Sequence, residues 1–314
     1  MDILKIDNLN LSFKLEDGVF KTLDNVCFSL KKGQMHALVG ESDSGKTMTA
    51  MSIIDLLPKN AIVESGDIIY NGNVLTKNDM KFLRGNKIAL IPQDPMTSLN
   101  PLYTIGNQIA EVVSKDKQLS KQEIKEKIID VLKLVKFPNP EEAINSYPHE
   151  LSGGMKQRVI IAMALASGAE IIIADEPTTA LDVTIQAQIM NLLSELKNKF
   201  NTSILLISHD LGLIGQYADE ISVMYSGRIV ERASVKEFFT NTLHPYSKAL
   251  ISALPSNVEN KELKTIQGQP PSIQEVIVGC KFGPRCEFYS EDCCSVEPAL
   301  NELCEKHLVA CNKL

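Results

Sequence analysis

Nothing in this chain reaches the run of about 18 apolar residues that a membrane-spanning helix needs. Nor is there an excess of basic charge. The formal net charge is −7, and a broad nucleic-acid surface would have to be basic, so no nucleic-acid partner is expected. Met1-Asp2-Ile3-Leu4-Lys5 opens directly on strand-like sequence without a signal peptide, which makes the cytoplasm the expected location. Internal repeats and low-complexity segments are missing too. Cysteine is absent from the whole stretch between Cys27 and Cys280. Six then crowd the end of the chain: Cys280, Cys286, Cys293, Cys294, Cys304 and Cys311. In a reducing compartment such crowding suggests metal more than disulfides. Cys27, alone in the apolar strand Val26 to Leu30, reads as core.

What is present is ample material for a core. The 314 residues are 44% hydrophobic and 23% charged, which suits one large globular domain with an appendage. Residues 2–30 read as β-rich, with Asp17-Gly18 as a turn, and Asn71-Gly72 marks a strand pair within Gly66 to Leu75. Ile88 to Pro92 reads as a short buried strand. From about Pro95 to Ala166 the texture is helical, with Ile124, Ile128, Val131, Leu132 and Val135 forming one apolar stripe. Ile171 to Ala174 is a fully apolar run of the kind buried in parallel sheets. Helix Val183 to Phe200, strand Ser203 to Ile207, helix Leu211 to Tyr217 and strand Ile221 to Tyr225 complete an alternating α/β series. After about Pro255 the regularity fades.

Three stretches carry chemistry. Gly40-Glu41-Ser42-Asp43-Ser44-Gly45-Lys46-Thr47 lies between the apolar run Met35 to Val39 and a helix-compatible run, Met48 to Leu57. A strand, a glycine-punctuated loop and a helix start aim several N–H groups and the helix dipole at one point, where anions bind. Lys46 suits β- and γ-phosphates, and the Thr47 hydroxyl suits Mg²⁺. Asp43 is discordant, since its carboxylate sits inside a loop that holds phosphates. Second, Asp175 closes the apolar strand where open α/β sheets place ligands, and Glu176 is placed to orient or deprotonate a water. Third, Leu151-Ser152-Gly153-Gly154-Met155-Lys156-Gln157-Arg158 pairs a good N-cap with bare helix-start N–H groups. It reads as a well-capped helix or, beside the first loop, as half of a site completed between two chains.

These segments, with Ile171 to Pro177, Ala180-Leu181-Asp182 and Ser208-His209-Asp210, resemble in order and spacing the ATPase subunits of ABC transporters over about residues 1–255. Gln93 to Pro101, Tyr147-Pro148-His149-Glu150 and His244-Pro245-Tyr246 resemble the oligopeptide, dipeptide and nickel importer branch. The resemblance implies an α/β P-loop NTPase with an antiparallel β subdomain and a helical subdomain at about 95–166. A cysteine-rich, irregular extension over 256–314 would follow. It implies that Gly40 to Thr47 and Thr49 bind nucleotide, that Thr47, Gln93 and Asp175 manage Mg²⁺, and that Glu176 is the general base. His209 would contact the γ-phosphate, and Phe13, or failing it Phe20, would stack on adenine. Ser152, Gly153, Gly154, Gln157 and Asp182 would close over ATP held by an opposing subunit. The implied partners are a second, different ATPase chain, two membrane permeases contacted through the helical section, and a substrate-binding protein outside. The chain itself would lie peripherally on the cytoplasmic face. The family has glycine where Asp43 stands, so a weakly active nucleotide-binding subunit is a second expectation, and nickel or a metal chelate is an alternative cargo.

Cys280, Cys286, Cys293 and Cys311 resemble in arrangement the cysteines of peptide-importer ATPases that carry an iron–sulfur cluster; on chemistry alone four thiolates suit either [4Fe–4S] or structural zinc. The resemblance favours [4Fe–4S]. Cys294 could substitute for Cys293, and Cys304 is left over.

Overall fold

The computed structural model describes residues 1–115, 119–179, 181–254, 266–275 and 277–314. They form two compact units, one of residues 1–76 with 207–314 and one of residues 77–206. The domain boundary expected near residue 255, and Ala180, lie outside the described residues.

The first unit opens with two long strands, β1 (Asp2–Leu15) and β2 (Gly18–Lys31). Leu4, Ile6, Leu9 and Leu11 of β1 are fully or almost fully buried. Register shifts after Ile6 and Leu9 keep this apolar set on the inner face, since an uncorrected one-residue slip would turn it outward. Cys27 departs from expectation. It is only half-buried, and its thiol exchanges hydrogen bonds with the backbone N–H (3.2 Å) and side-chain oxygen (3.3 Å) of Asn8. Next come β3 (Met35–Val39), buried throughout, and α1 (Lys46–Ile53). The helix stops short of the expected Leu57 because Asp55 turns left-handed at φ 52°. Then β4 (Ala61–Tyr70) and β5 (Asn73–Val74) close on Asn71-Gly72, both at positive φ, as a two-residue hairpin turn requires. β2, β1, β4 and β5 lie in that order in one antiparallel sheet.

The second unit starts with α2 (Lys77–Leu83) and β6 (Ile88–Ile91). The helical section follows as α3 (Pro95–Ser98), α4 (Ile105–Val113), α5 (Lys121–Leu134), α6 (Pro140–Ala143) and α7 (Gly153–Ala166). Ser120 and Glu123 form a capping box at the start of α5, and Ile128, Leu132 and Val135 of the expected stripe are buried. β7 (Ile171–Asp175), α8 (Val183–Phe200) and β8 (Ser203–Ile207) complete the unit. β8, β7 and β6 are neighbours in that order, with β6 and β7 parallel. Every residue of β7 is buried, which explains its lack of polar alternation.

The chain returns to the first unit as α9 (Leu211–Tyr217), β9 (Glu220–Tyr225), β10 (Arg228–Ser234), α10 (Val235–Thr240) and α11 (Pro245–Ser252). β9 runs parallel to β3, and β10 folds back on β9 through Ser226-Gly227. The terminal region holds α12 (Asp292–Ser295), β11 (Asn301–Cys304) and β12 (His307–Val309). An irregular appendage was the expectation, and the structure corrects it. β11 and β12 form a hairpin, and β12 pairs antiparallel with β10 at Glu231–Val309 and Arg232–Leu308, giving the order β11-β12-β10-β9-β3. No helix among the described residues is long and apolar enough to cross a membrane.

Candidate functional site

β3 ends at Val39 and α1 starts at Lys46, so six residues must turn the chain. Gly40 makes this possible. Its φ is 154°, and a Cβ there would lie 2.1 Å from the Met224 carbonyl oxygen at the end of β9. The Ser44 carbonyl accepts the Gly227 N–H at 2.9 Å, which holds the loop against the turn after β9. Lys46 is buried, and its ammonium donates to the carbonyls of Gly40 (2.9 Å) and Glu41 (2.7 Å) and to Ser44 Oγ (3.3 Å). A cation locked into its own loop at a helix start makes a centre for anionic oxygens. Thr47 is half-buried beside it, and Ser42 and Asp43 are exposed.

Two members of the expected nucleotide set have other work. Thr49 is fully buried, and its hydroxyl donates to the Gly45 carbonyl at 3.0 Å within α1. Glu41 is tied on both sides: its N–H donates to Tyr246 Oη (2.9 Å) and its carboxylate grips Arg285 at 2.6 and 2.9 Å. Glu41 therefore holds the loop in shape. Asp43 adopts φ 61°, a left-handed conformation that glycine takes without strain and Asp tolerates better than most residues.

In the second unit, Asp175 closes β7 at 2% exposure, and Glu176 follows in a left-handed conformation at φ 45°. Such strain persists only where neighbours over-determine it. Here Glu176 Oε2 accepts from Gln93 Nε2 (3.1 Å) and Thr179 Oγ1 (2.8 Å), so the Gln93 and Glu176 side chains meet. The next residue after Gln93, Asp94, caps α3 by accepting from the Met96 N–H at 2.8 Å.

Ser152 caps α7, accepting the Met155 N–H at 3.3 Å, and Asp182 caps α8, accepting the Ile185 N–H at 3.0 Å. Gly154 packs so closely that a Cβ would lie 2.8 Å from Ile185 Cγ2. Gln157 does not share the exposure of Ser152. It is fully buried, and both its amide atoms lack a hydrogen-bond partner among the described residues. In the first unit, His209 is exposed between β8 and α9. Its neighbours are fixed: the Ser208 N–H donates to the Leu38 carbonyl, and Asp210 caps α9 through the Gly212 and Leu213 N–H groups. Phe13 and Phe20 are cross-strand partners, both half-buried, so they share one face of the hairpin.

A second constellation lies in the terminal region of the first unit. Cys280, Cys286, Cys293 and Cys311 all line one pocket, along with His244 and Phe282. Burial pushes the Cys280 thiol up to about 11 and also raises Cys286, so these thiols favour the neutral form until a cation compensates them. Burial likewise lowers His244 to about 4. Cys294, the alternative to Cys293, is exposed and bonds Tyr289 Oη at 3.1 Å, and Cys304 is exposed on β11. No three His, Cys, Asp or Glu among the described residues are spaced to hold a single metal ion. Sequence reasoning gave no role to Arg285, Tyr225 or Tyr246. The one available signal for Tyr246 was the His244-Pro245-Tyr246 run, quoted for resemblance without a role.

A strand, a glycine-rich turn and a helix with a buried lysine define a P-loop nucleotide-binding protein. The ABC transporter family pattern matches residues 23–179, and that of the oligopeptide/dipeptide transporter C-terminal region matches residues 230–293. A probable peptide ABC transporter ATP-binding protein of Sinorhizobium fredii, y4tR, is 45% identical over 98% of this chain and 94% of its own. The oligopeptide transport ATP-binding protein OppD of Escherichia coli is 42% identical over 99% of this chain and 93% of its own. CbiO1 of Clostridium perfringens, part of an ABC transporter complex, aligns at TM-score 0.66 and 26% identity over 76% of this chain and 91% of its own. A dimeric ATP-binding cassette bound to ADP and Pi aligns at the same TM-score and identity, over 74% of this chain and 98% of its own. The chain belongs to the ABC transporter ATPase family, in the branch of ATP-binding subunits of oligopeptide and dipeptide transporters.

Proposed function

We propose that this chain hydrolyses ATP to energise import of oligopeptides or dipeptides through membrane permease subunits. The observation that carries this reading is near-full-length identity to peptide-transport ATP-binding proteins, which extends into the C-terminal region beyond the nucleotide-binding core. The nickel and weak-turnover expectations gain no comparable support. The chain works peripherally at the cytoplasmic face, beside a second ATPase subunit and two permeases, with a substrate-binding protein delivering cargo outside.

Lys46 and the backbone from Ser42 to Thr47 hold the phosphates, and the buried, loop-locked ammonium supports that role. Thr47, Gln93 and Asp175 would hold Mg²⁺, which neutralises charge on the phosphate oxygens when bound. Glu176 takes a proton from the attacking water, and its fixed carboxylate oxygen beside Gln93 and Thr179 supports this assignment. His209 serves the γ-phosphate, Phe13 with Phe20 the adenine, and Ser152, Gly153, Gly154 and Asp182 the nucleotide of the opposing subunit. Gln157, of the same expected set, is fully buried.

The four pocket cysteines would hold a [4Fe–4S] cluster. All four line one pocket, and four thiolates suit such a cluster. A four-iron cluster spreads its four thiolates over separate irons, and its role would be to staple the terminal region. The experiment is reconstitution with the cognate permeases and binding protein in proteoliposomes. Labelled peptide should accumulate only with ATP. Uptake of nickel with no response to peptide would refute the cargo assignment, and colourless, zinc-containing protein from anaerobic purification would refute the cluster.

A further inference from the structure

The Cys280–Cys286 loop is pinned at both ends to the structure that shapes the phosphate-binding loop. Next to Cys280, Lys281 Nζ donates to the Ser226 carbonyl at 3.0 Å and pairs with Asp24 at 3.6 Å. Next to Cys286, Arg285 spreads its guanidinium over Glu41, with Nη1 to Oε2 at 2.6 Å and Nη2 to Oε1 at 2.9 Å. The same Nη1 donates to Tyr225 Oη at 3.3 Å. Between these anchors, Phe282 packs edge-on against Tyr225 and tilted against Tyr246, with centroids 5.2 and 5.3 Å away. Tyr246 Oη in turn accepts the Glu41 N–H, and the Gly227 N–H holds the Ser44 carbonyl. Both anchors of the cysteine loop therefore end on the phosphate loop or on the β9–β10 turn beneath it.

The Arg285–Glu41 contact is built to transmit position. It is bidentate, which fixes the plane of the guanidinium as well as its distance. Its side chains are 5% and 27% exposed, so water screens it far less than a surface pair. One peptide bond joins Arg285 to Cys286, whose side chain lines the pocket, and Glu41 sits in the loop whose carbonyls hold Lys46.

We propose that Arg285 is a positioning residue for nucleotide binding, which carries the state of the four-cysteine pocket to the phosphate-binding loop through Glu41. The proposal rests on the reading of those cysteines as a metal-group site. With the pocket filled, Cys286 and Arg285 are fixed and Glu41 is held. With it emptied, the Cys280–Cys286 loop loses its inner anchor, the fork on Glu41 loosens and the phosphate loop admits more conformations. No bond to nucleotide is made by Arg285 itself.

The test titrates a fluorescent ATP analogue into the full chain and into Arg285→Ala and Arg285→Lys. Each is measured as purified anaerobically and after oxidation with chelation. Thermal midpoint and iron and zinc content are read alongside. Losing a charge-assisted fork is expected to weaken the affinity of Arg285→Ala about tenfold. Arg285→Lys, a point charge without the fork, should fall between the two. Emptying the pocket should weaken the unmodified chain by a similar factor and leave Arg285→Ala where it was. Full affinity in Arg285→Ala, or in Arg285→Lys should the alanine variant not fold, overturns the proposal. So does an equal loss on emptying with and without Arg285. Failure of the cysteine reading shows separately, as a chain that never carries iron or zinc in the metal analysis.

Discussion

Asp43 sets backbone conformation against charge, and magnitudes decide which is felt where. Its φ of 61° belongs to the folded loop, so the strain bears on stability. Replacing it with glycine removes strain on the order of 1 kcal/mol but loosens the unfolded chain by about 0.5–1 kcal/mol, and the two nearly cancel. The charge acts differently. Asp43 is exposed, so at about 4 Å from a phosphate charge a water-like dielectric leaves only about 1 kcal/mol of repulsion. Asp43→Gly should therefore bind ATP about fivefold tighter in calorimetric titration, with an almost unchanged thermal midpoint. Equal affinities would show that the carboxylate turns away from the ligand. His36 offers a second residue-scale prediction. It is fully buried with Nε2 2.9 Å from Ser222 Oγ, and burial lowers it to about 3, aided by Arg232 and Lys31 and opposed by Glu220. Because the folded protein keeps this ring neutral while the unfolded chain protonates near 6.5, its contribution is complete above pH 6.5. It is lost as pH falls towards about 3. His36→Gln should cut the stability lost between pH 7 and pH 5 by about 2 kcal/mol in urea unfolding.

At the scale of elements, the second unit's β7, α8 and β8 were legible because each is a local decision. Four isoleucine-rich positions make a buried strand, Asp182 caps the following helix, and Asn201 at φ 54° ends it. The phosphate loop was legible for the same reason, since glycines, lysine and threonine sit within eight residues. What could not be read are partners far apart along the chain. Arg285 and Glu41 are separated by 244 positions, and nothing in Gly283-Pro284-Arg285 reveals which carboxylate it meets. β12 is only three residues long, too short for a period, yet it brings His307 Nε2 to 2.8 Å from fully buried Glu231. Glu231 also accepts the Leu243 and His244 N–H groups ahead of α11. Removing one of three donors from a buried carboxylate is expensive, so His307→Leu should lower stability by on the order of 2 kcal/mol in urea unfolding. A loss within a few tenths would mean that β12 is dispensable.

For the whole molecule, the terminal cysteine region belongs to the nucleotide-binding unit in both covalent and physical terms. Its strand extends the sheet that carries β3, and its Cys280–Cys286 loop clamps the phosphate loop. The chain is thus an ATPase whose grip on nucleotide is set partly at its far end, while its cargo is chosen by partners. The proposed base for its activity is Glu176, the carboxylate held by Gln93 and Thr179. The most direct measurement is steady-state ATP turnover of the complex assembled with partner ATPase and permeases, comparing the unmodified chain with Glu176→Gln. ATP should still bind to the variant with near-normal affinity, because the amide keeps the hydrogen bond to Thr179, while turnover at this site falls by about a hundredfold or more. Unchanged turnover at this site, with the partner's own base disabled, would contradict the account.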